Sequence, residues 1–272
     1  MTAETGVVNR RTLELARSIR VAALRMVHAA GTSHIGSCLS AADLLAVLYA
    51  DVLRHDPARP AWPDRDRLVL SKGHAAAALY AALAHSGYFP VSELETLCQA
   101  DSLLLGHVSH HIPGVEFSTG SLGHGLSLGA GVALAAKLDD ASFRSFVILS
   151  DGECDEGSIW EAALFAGHHA LGGLTVLIDY NKIQSFGRTA EVLDLEPLAE
   201  KWRAFRWHVS EVDGHDHAQL AAALAPRHPR PHVLICHTVK GKGVSFMEDR
   251  LEWHYRSPDR EQLSHALAEI EA

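Results

Sequence analysis

Three apolar runs, each too short for a membrane span and separated by helical patterns, restrict this chain to very few architectures. "FRSFVILS" (143–150), "LTVLIDY" (174–180) and "HVLICHTV" (232–239) are almost continuously apolar, the pattern of parallel strands covered on both faces. "WHVSEV" (207–212) is a weaker fourth strand, and "RLVLSKGH" starts with a short one at 67–71. Helical periodicity occupies 122–137, 156–171, 195–205 and 216–225 between them. Further helices are expected at 10–30, ending at Gly31, from Ser40 to about Leu53, from 73 to about 85, and in a tail at about 259–271. Ser92 with Glu95 has the spacing of a capping box. Such β–α alternation predicts an α/β fold, a doubly wound parallel sheet flanked by helices. No linker-like tract divides it, so one domain over 1–272 is expected, with Pro57, Pro60 and Pro63 marking only a loop.

Charge removes several function classes. The net charge is −9 and no Lys/Arg run occurs, which argues against nucleic acid as a partner. Apolar stretches such as "AAAALYAALA" (75–84) are too short for a bilayer, so no membrane span is expected. The four cysteines are widely spaced and form no CxxC pair, and the first residues lack a charged-then-apolar leader pattern, so a cytoplasmic location is expected.

Chemistry enters at "VILSDGECDEGSIW" (147–160), where a strand stops at Ser150 and four acids follow within six positions. Acids before a helix are ordinary dipole complements. Asp151 fits that reading least, because it lies nearest the strand and precedes the flexible Gly152. Ligands of open parallel sheets sit beyond the carboxyl ends of the strands, where helix amino termini favour anions. A right-handed crossover through 143–180 would bring Asp151 beside Asn181. Their oxygens, with the backbone carbonyl of Ile183, suit Mg²⁺ or Ca²⁺ that also binds a phosphate. A cation there reconciles Asp151 with an anionic ligand. The rival is zinc at "HVSHH" (107–111), which lacks a nearby cysteine or carboxylate partner, or at His215 and His217.

The stretches "SHIGSCLSAADLL" (33–45), "LVLSKGHAAAALYAAL" (68–83), "GHVSHHIPGVEFSTGSLGHGLSLGAG" (106–131), "SDGECDEGSIWEAALFAGHHALGGLTVLIDYNKIQSFG" (150–187) and "TVKGKGVSFMEDRLEWH" (238–254) resemble, in order and spacing, the thiamine-diphosphate-binding half of transketolase. The resemblance implies that Asp151, Asn181 and the Ile183 carbonyl hold the divalent ion and that Gly152 lets backbone approach the cofactor diphosphate. Ser37, Lys72, His74, Lys240 and His254 match positions around that diphosphate. Gly120, Ser121 and Leu122 match the segment along the cofactor's aminopyrimidine. His34 and His107, joined by His254, match the substrate-facing histidines, groups that hydrogen-bond sugar oxygens or exchange protons near neutral pH. Glu156 and Glu161 match acids near the subunit contact and the proton-relay region, which also places Glu156 among the cofactor-associated residues.

The usual Gly-Asp-Gly is Ser150-Asp151-Gly152 here, His-Pro-Gly is His34-Ile35-Gly36, and His124 replaces a common Gln. None of these removes a required group. Thiamine catalysis also needs a glutamate against the aminopyrimidine, which in transketolases belongs to a second domain that this chain is expected to lack. The resemblance therefore implies one subunit of a split transketolase, a heterotetramer in which a separate carboxyl-terminal subunit supplies the pyrimidine-binding domain and the activating glutamate. Sugars or sugar phosphates are the implied substrates, with a two-carbon ketol unit passing from ketose to aldose. Alternatives are a subunit similar to 1-deoxyxylulose-phosphate synthase or a 2-oxo-acid dehydrogenase, or a non-catalytic regulatory subunit.

Overall fold

A computed structural model describes residues 2–272, with side chains described from Arg10 onward. The strands are β1 (Arg67–Leu70), β2 (Ser145–Ser150), β3 (Leu174–Tyr180), β4 (Ile183–Gln184), β5 (Gly187–Arg188), β6 (His208–Asp213) and β7 (His232–His237). The helices are α1 (Thr2–Ala30), α2 (Ile35–Val47), α3 (Ala76–His85), α4 (Gly125–Leu138), α5 (Gly157–His168), α6 (Thr189–Val192), α7 (Leu198–Ala204), α8 (His217–Leu224) and α9 (Arg260–Glu271). The main sheet has the order β1-β2-β3-β7-β6 with every pair parallel. The chain leaves β3 for the edge at β6 and returns with β7 between them. A cleft is expected where the winding reverses in this way.

Alternation along the strands gives each face its own core. Phe146, Ile148, Leu177 and Leu234 pack under α1, α2, α3 and α8. Val147, Leu149, Val176, Ile178 and Val233 pack under α4, α5 and α7. Burial on both faces explains why these strands read as unbroken apolar runs. Close approach by the covering helices needs glycine at two points. A Cβ on Gly129 would stand 2.3 Å from Val147 of β2, and one on Gly167 would stand 1.8 Å from the Phe205 carbonyl oxygen.

Several local expectations need correction. The second helix starts at Ile35, not at Ser40, and passes into a π-helical turn at Leu48–Val52. The Ser40 hydroxyl is not a cap, since it donates to Asp179 of β3 at 2.6 Å. Ser92 and Glu95 lie in a 3₁₀ turn, Val91–Thr96, without a side-chain cap. The segment Ile35–Val52, with mean hydropathy 1.5 over 18 residues, is longer than the apolar stretches considered from sequence. It is 83% buried inside the protein, as the central core helix is. His215 and His217 are not a zinc pair but close around buried Asp43 at 2.6 Å and 3.0 Å.

Candidate active site

The carboxyl ends of β2 and β3 are tied together by one side chain. Asp151 accepts hydrogen bonds from Gly152 N at 2.7 Å and from Lys182 N, so the loop after β2 clasps the turn after β3. Lys182 adopts φ 67°, in the left-handed region that few side chains favour. This turn lets Asn181 Oδ1 accept from Ile183 N at 3.1 Å while the Ile183 carbonyl accepts from the Lys240 ammonium at 2.9 Å. An acid, an amide and a backbone carbonyl thus converge on two adjacent strand ends, the hard-oxygen set that Mg²⁺ and Ca²⁺ prefer. Burial, with Asp179 nearby, pushes the Asp151 carboxyl up to about 6. Burial and then Lys72 push Lys240 down to about 8. A carboxylate held where its charge is disfavoured is a position that a divalent cation would stabilise, so the donor set fits such an ion.

Beside this turn lies a cleft of about 200 Å³. Four imidazoles form one wall, with ring centroids 5.2 Å (His34–His74), 5.8 Å (His34–His107), 5.0 Å (His34–His254) and 5.7 Å (His74–His254) apart. His34 stands at the amino end of α2 with φ 75°, and its N–H donates to the His254 carbonyl at 3.0 Å, which joins two distant segments. Burial first, then His107, Lys240 and Lys72, lower His34 to about 4. Burial, then Lys240, His34 and Lys72, lower His254 to about 3, and the same kind of surroundings hold His74 well below its usual value. These three rings are therefore neutral at pH 7, each with one N–H donor and one acceptor nitrogen.

Thirteen of the residues singled out from sequence line this cleft: His34, Ser37, Lys72, His74, His107, Gly120, Leu122, Asp151, Gly152, Asn181, Ile183, Lys240 and His254. Ser121 is exposed and does not line it. Glu156 and Glu161 are exposed on the α5 side, with Glu156 packed against Gly123 and outside the cleft wall. Lys72 differs from the expectation in charge. Its fully buried ammonium is ion-paired with fully buried Asp179, so it adds no free positive charge, and Lys240 is the less neutralised of the two lysines. Burial would raise Asp179, but Lys72 and the hydroxyls of Ser40 and Thr238 bring it below its usual value. The nearest neighbour of Gly152 is also unexpected: a Cβ there would meet Gln184 at 2.6 Å.

Gln184 and Ser185 line the cleft and were not anticipated. Nor was the role of Glu153, which is buried and accepts from the Ser71 hydroxyl, Gly123 N at 2.8 Å and Ser150 N at 3.3 Å. It fixes the loop carrying Gly120 and Leu122 to the end of β2. Its only sequence signal was membership of the acid cluster, which does not distinguish it from Glu156.

Comparison with known proteins adds four findings. The family model described as "Transketolase, thiamine diphosphate binding domain" matches residues 11–264. The 6-deoxy-6-sulfo-D-fructose transketolase subunit of Clostridium sp. (strain MSTE9) is 45% identical over 260 residues, which are 94% of each chain. An apulose-4-phosphate transketolase subunit of Phocaeicola vulgatus is 41% identical over 263 residues, covering 95% of this chain and 94% of that one. Transketolase of Campylobacter jejuni superposes with a TM-score of 0.91 at 30% identity over 96% of this chain, and this chain spans only 43% of that protein's length.

Proposed function

The chain belongs to the transketolase family, and from that premise we propose that it is the diphosphate-binding subunit of a two-component transketolase. The observation that carries this reading is the convergence of five separated sequence blocks on one cleft at the strand ends, around Asp151, Asn181 and Ile183. Relatives of matching length are named as subunits, which supports a second chain bearing the pyrimidine-binding domain and its glutamate, in a heterotetramer. A cytoplasmic location accords with this reading.

Bound thiamine diphosphate would supply the nucleophilic carbon that cleaves a ketose beside its carbonyl. The protein's part is binding and orientation. Asp151, Asn181 and the Ile183 carbonyl would hold Mg²⁺, or Ca²⁺ in its place, and Lys240 with Ser37 and His74 would meet the diphosphate. His34, His107 and His254 would face the sugar. Being neutral, His34 and His254 can each donate to a carbonyl or hydroxyl oxygen. His254 does so from Nε2, because its Nδ1 accepts from the Lys240 ammonium at 3.0 Å, while His34 can also accept a proton with its other ring nitrogen. The substrate class is a ketose donor with an aldose acceptor, as sugars or sugar phosphates. Asp151, Asn181, His34, His74 and His107 are all present around the cleft, which speaks against a non-catalytic subunit.

The test is ketol transfer from xylulose 5-phosphate, and from unphosphorylated ketoses, by this chain with thiamine diphosphate, Mg²⁺ and the candidate second chain. Transfer that requires all four supports the reading. Full activity of this chain alone would refute the need for a partner.

A further inference from the structure

At the opposite end of the sheet three histidines meet that the cleft does not use. His208 opens β6 and His232 opens β7, and the two are register partners in the parallel pair, so their side chains leave the same face. His228 comes from the preceding proline-rich loop, "PRHPRPH" (226–232). Its ring stacks on His208 at 3.8 Å between centroids and lies 4.5 Å from His232, with His208 and His232 4.7 Å apart. One ligand nitrogen from each lies within 4.8 Å of the other two.

We propose that His208, His228 and His232 form a binding site for a borderline divalent cation, Zn²⁺ or Ni²⁺, that clips edge strand β6 to β7. Imidazole nitrogens are the ligands such ions favour, and hard Mg²⁺ is not held by them. A tetrahedral ion at ~2.1 Å from each nitrogen sets ligand atoms about 3.4 Å apart. The closure needed is on the order of 1 Å, within reach of a ring rotation at exposed His208. The rest of the site is already held. Ser210 Oγ lies 3.0 Å from His232 Nε2 and orients the buried ring, as outer partners of ligand histidines do. The His228 loop is anchored by Arg227, which donates to the Ser142 carbonyl at 2.7 Å, and by packing of the His228 carbonyl against Gly172. The His208 N–H donates to the Pro231 carbonyl at 2.9 Å. Exposure of His208 leaves the fourth position open to water. Of the three histidines considered for zinc in "HVSHH", His107 lines the cleft, while His110 and His111 have rings 4.1 Å apart and no third ligand joins them among the described residues.

Strand β7 separates this cluster from the cleft by roughly 20 Å, at about 3.3 Å per residue. The site is thus structural and independent of ketol transfer. The experiment is calorimetric titration of the tag-free full chain with ZnCl₂ and NiCl₂ in excess Mg²⁺, beside H208A and H228A. Thermal melts with and without metal accompany it. The expected result is one equivalent bound at this site, a rise in Tm with metal, and about a tenfold or greater loss of affinity in each variant. Because His208 is exposed, H208A is expected to melt within a degree or two of wild type without metal. Equal stoichiometry and affinity in wild type and both variants, or no Zn²⁺ and Ni²⁺ binding by wild type, would overturn the proposal.

Discussion

Lys72 and Asp179 form an ion pair with both side chains fully excluded from solvent, and separating them is the most revealing perturbation of the cleft floor. Asp179 also accepts from the Ser40 and Thr238 hydroxyls, so Asp179→Leu leaves a buried ammonium without its counterion and the Thr238 hydroxyl without its acceptor, while the Ser40 hydroxyl keeps the Ser37 carbonyl at 3.2 Å. Lys72→Met leaves a buried carboxylate that keeps only those hydroxyls. Removing one partner of such a pair costs about 3–5 kcal/mol, because the survivor keeps its desolvation penalty. In a chain of this size that lowers Tm on the order of 10 °C. The double variant, with a methionine facing a leucine, removes both charges and recovers most of the loss, since well-packed apolar replacements of buried pairs are often close to neutral. Urea denaturation of the wild type, both single variants and the double variant gives the coupling energy directly. Single variants losing less than about 1 kcal/mol, or a double variant whose losses simply add, would refute the assignment of Lys72 as a structural cation.

Three other outcomes follow from the same geometry. Gly131, exposed in α4 with nothing within 4 Å of a built Cβ, should tolerate Gly131→Ala with a gain of about 0.5–1 kcal/mol, whereas Gly129→Ala on the same helix should lose ~1–3 kcal/mol in the same denaturation series. Burial alone would raise Asp43, but hydrogen bonds from His215 and His217 and the Arg20 guanidinium hold it well below its usual value. Its stabilising contribution is therefore complete above the unfolded pKa of ~3.9 and lost as pH falls below it toward the folded value, so Asp43→Asn should flatten the acid limb of stability measured from pH 7 to pH 3, and parallel curves would count against this. His254→Ala, with the partner chain present, should lower kcat/KM by ~10²-fold or more while folding normally by circular dichroism; an unchanged value would remove His254 from the substrate wall.

The strands were legible because each is buried on both faces, and an unbroken apolar run is the direct imprint of that burial. β6 read weakly for the complementary reason: as an edge strand it carries exposed His208 and Glu211. Cleft residues were legible where short motifs hold them, as at Asp151-Gly152 and Ser71-Lys72-Gly73-His74. Long-range pairing hid the rest. Ser40 has the local signature of a helix cap, yet its hydroxyl serves an acid 139 positions away, and that acid, Asp179, sits inside a strand where a buried charge is not expected. Of the four acids after β2, sequence position sets apart Asp151, which clasps the β3 turn, but only the three-dimensional neighbours separate the other three: Glu153 is buried among three donors, Asp155 accepts from Gln184 and Glu156 faces solvent.

The central claim is that Asp151, Asn181 and the Ile183 carbonyl hold a cation that secures the cofactor diphosphate. Calorimetric titration of thiamine diphosphate into the two-chain complex, with Mg²⁺ and with chelator, for wild type and Asp151→Asn, addresses it most directly. The account expects saturable binding that depends on Mg²⁺ and weakens about tenfold or more in the variant. Equal binding with and without Mg²⁺, or in the variant, would contradict it.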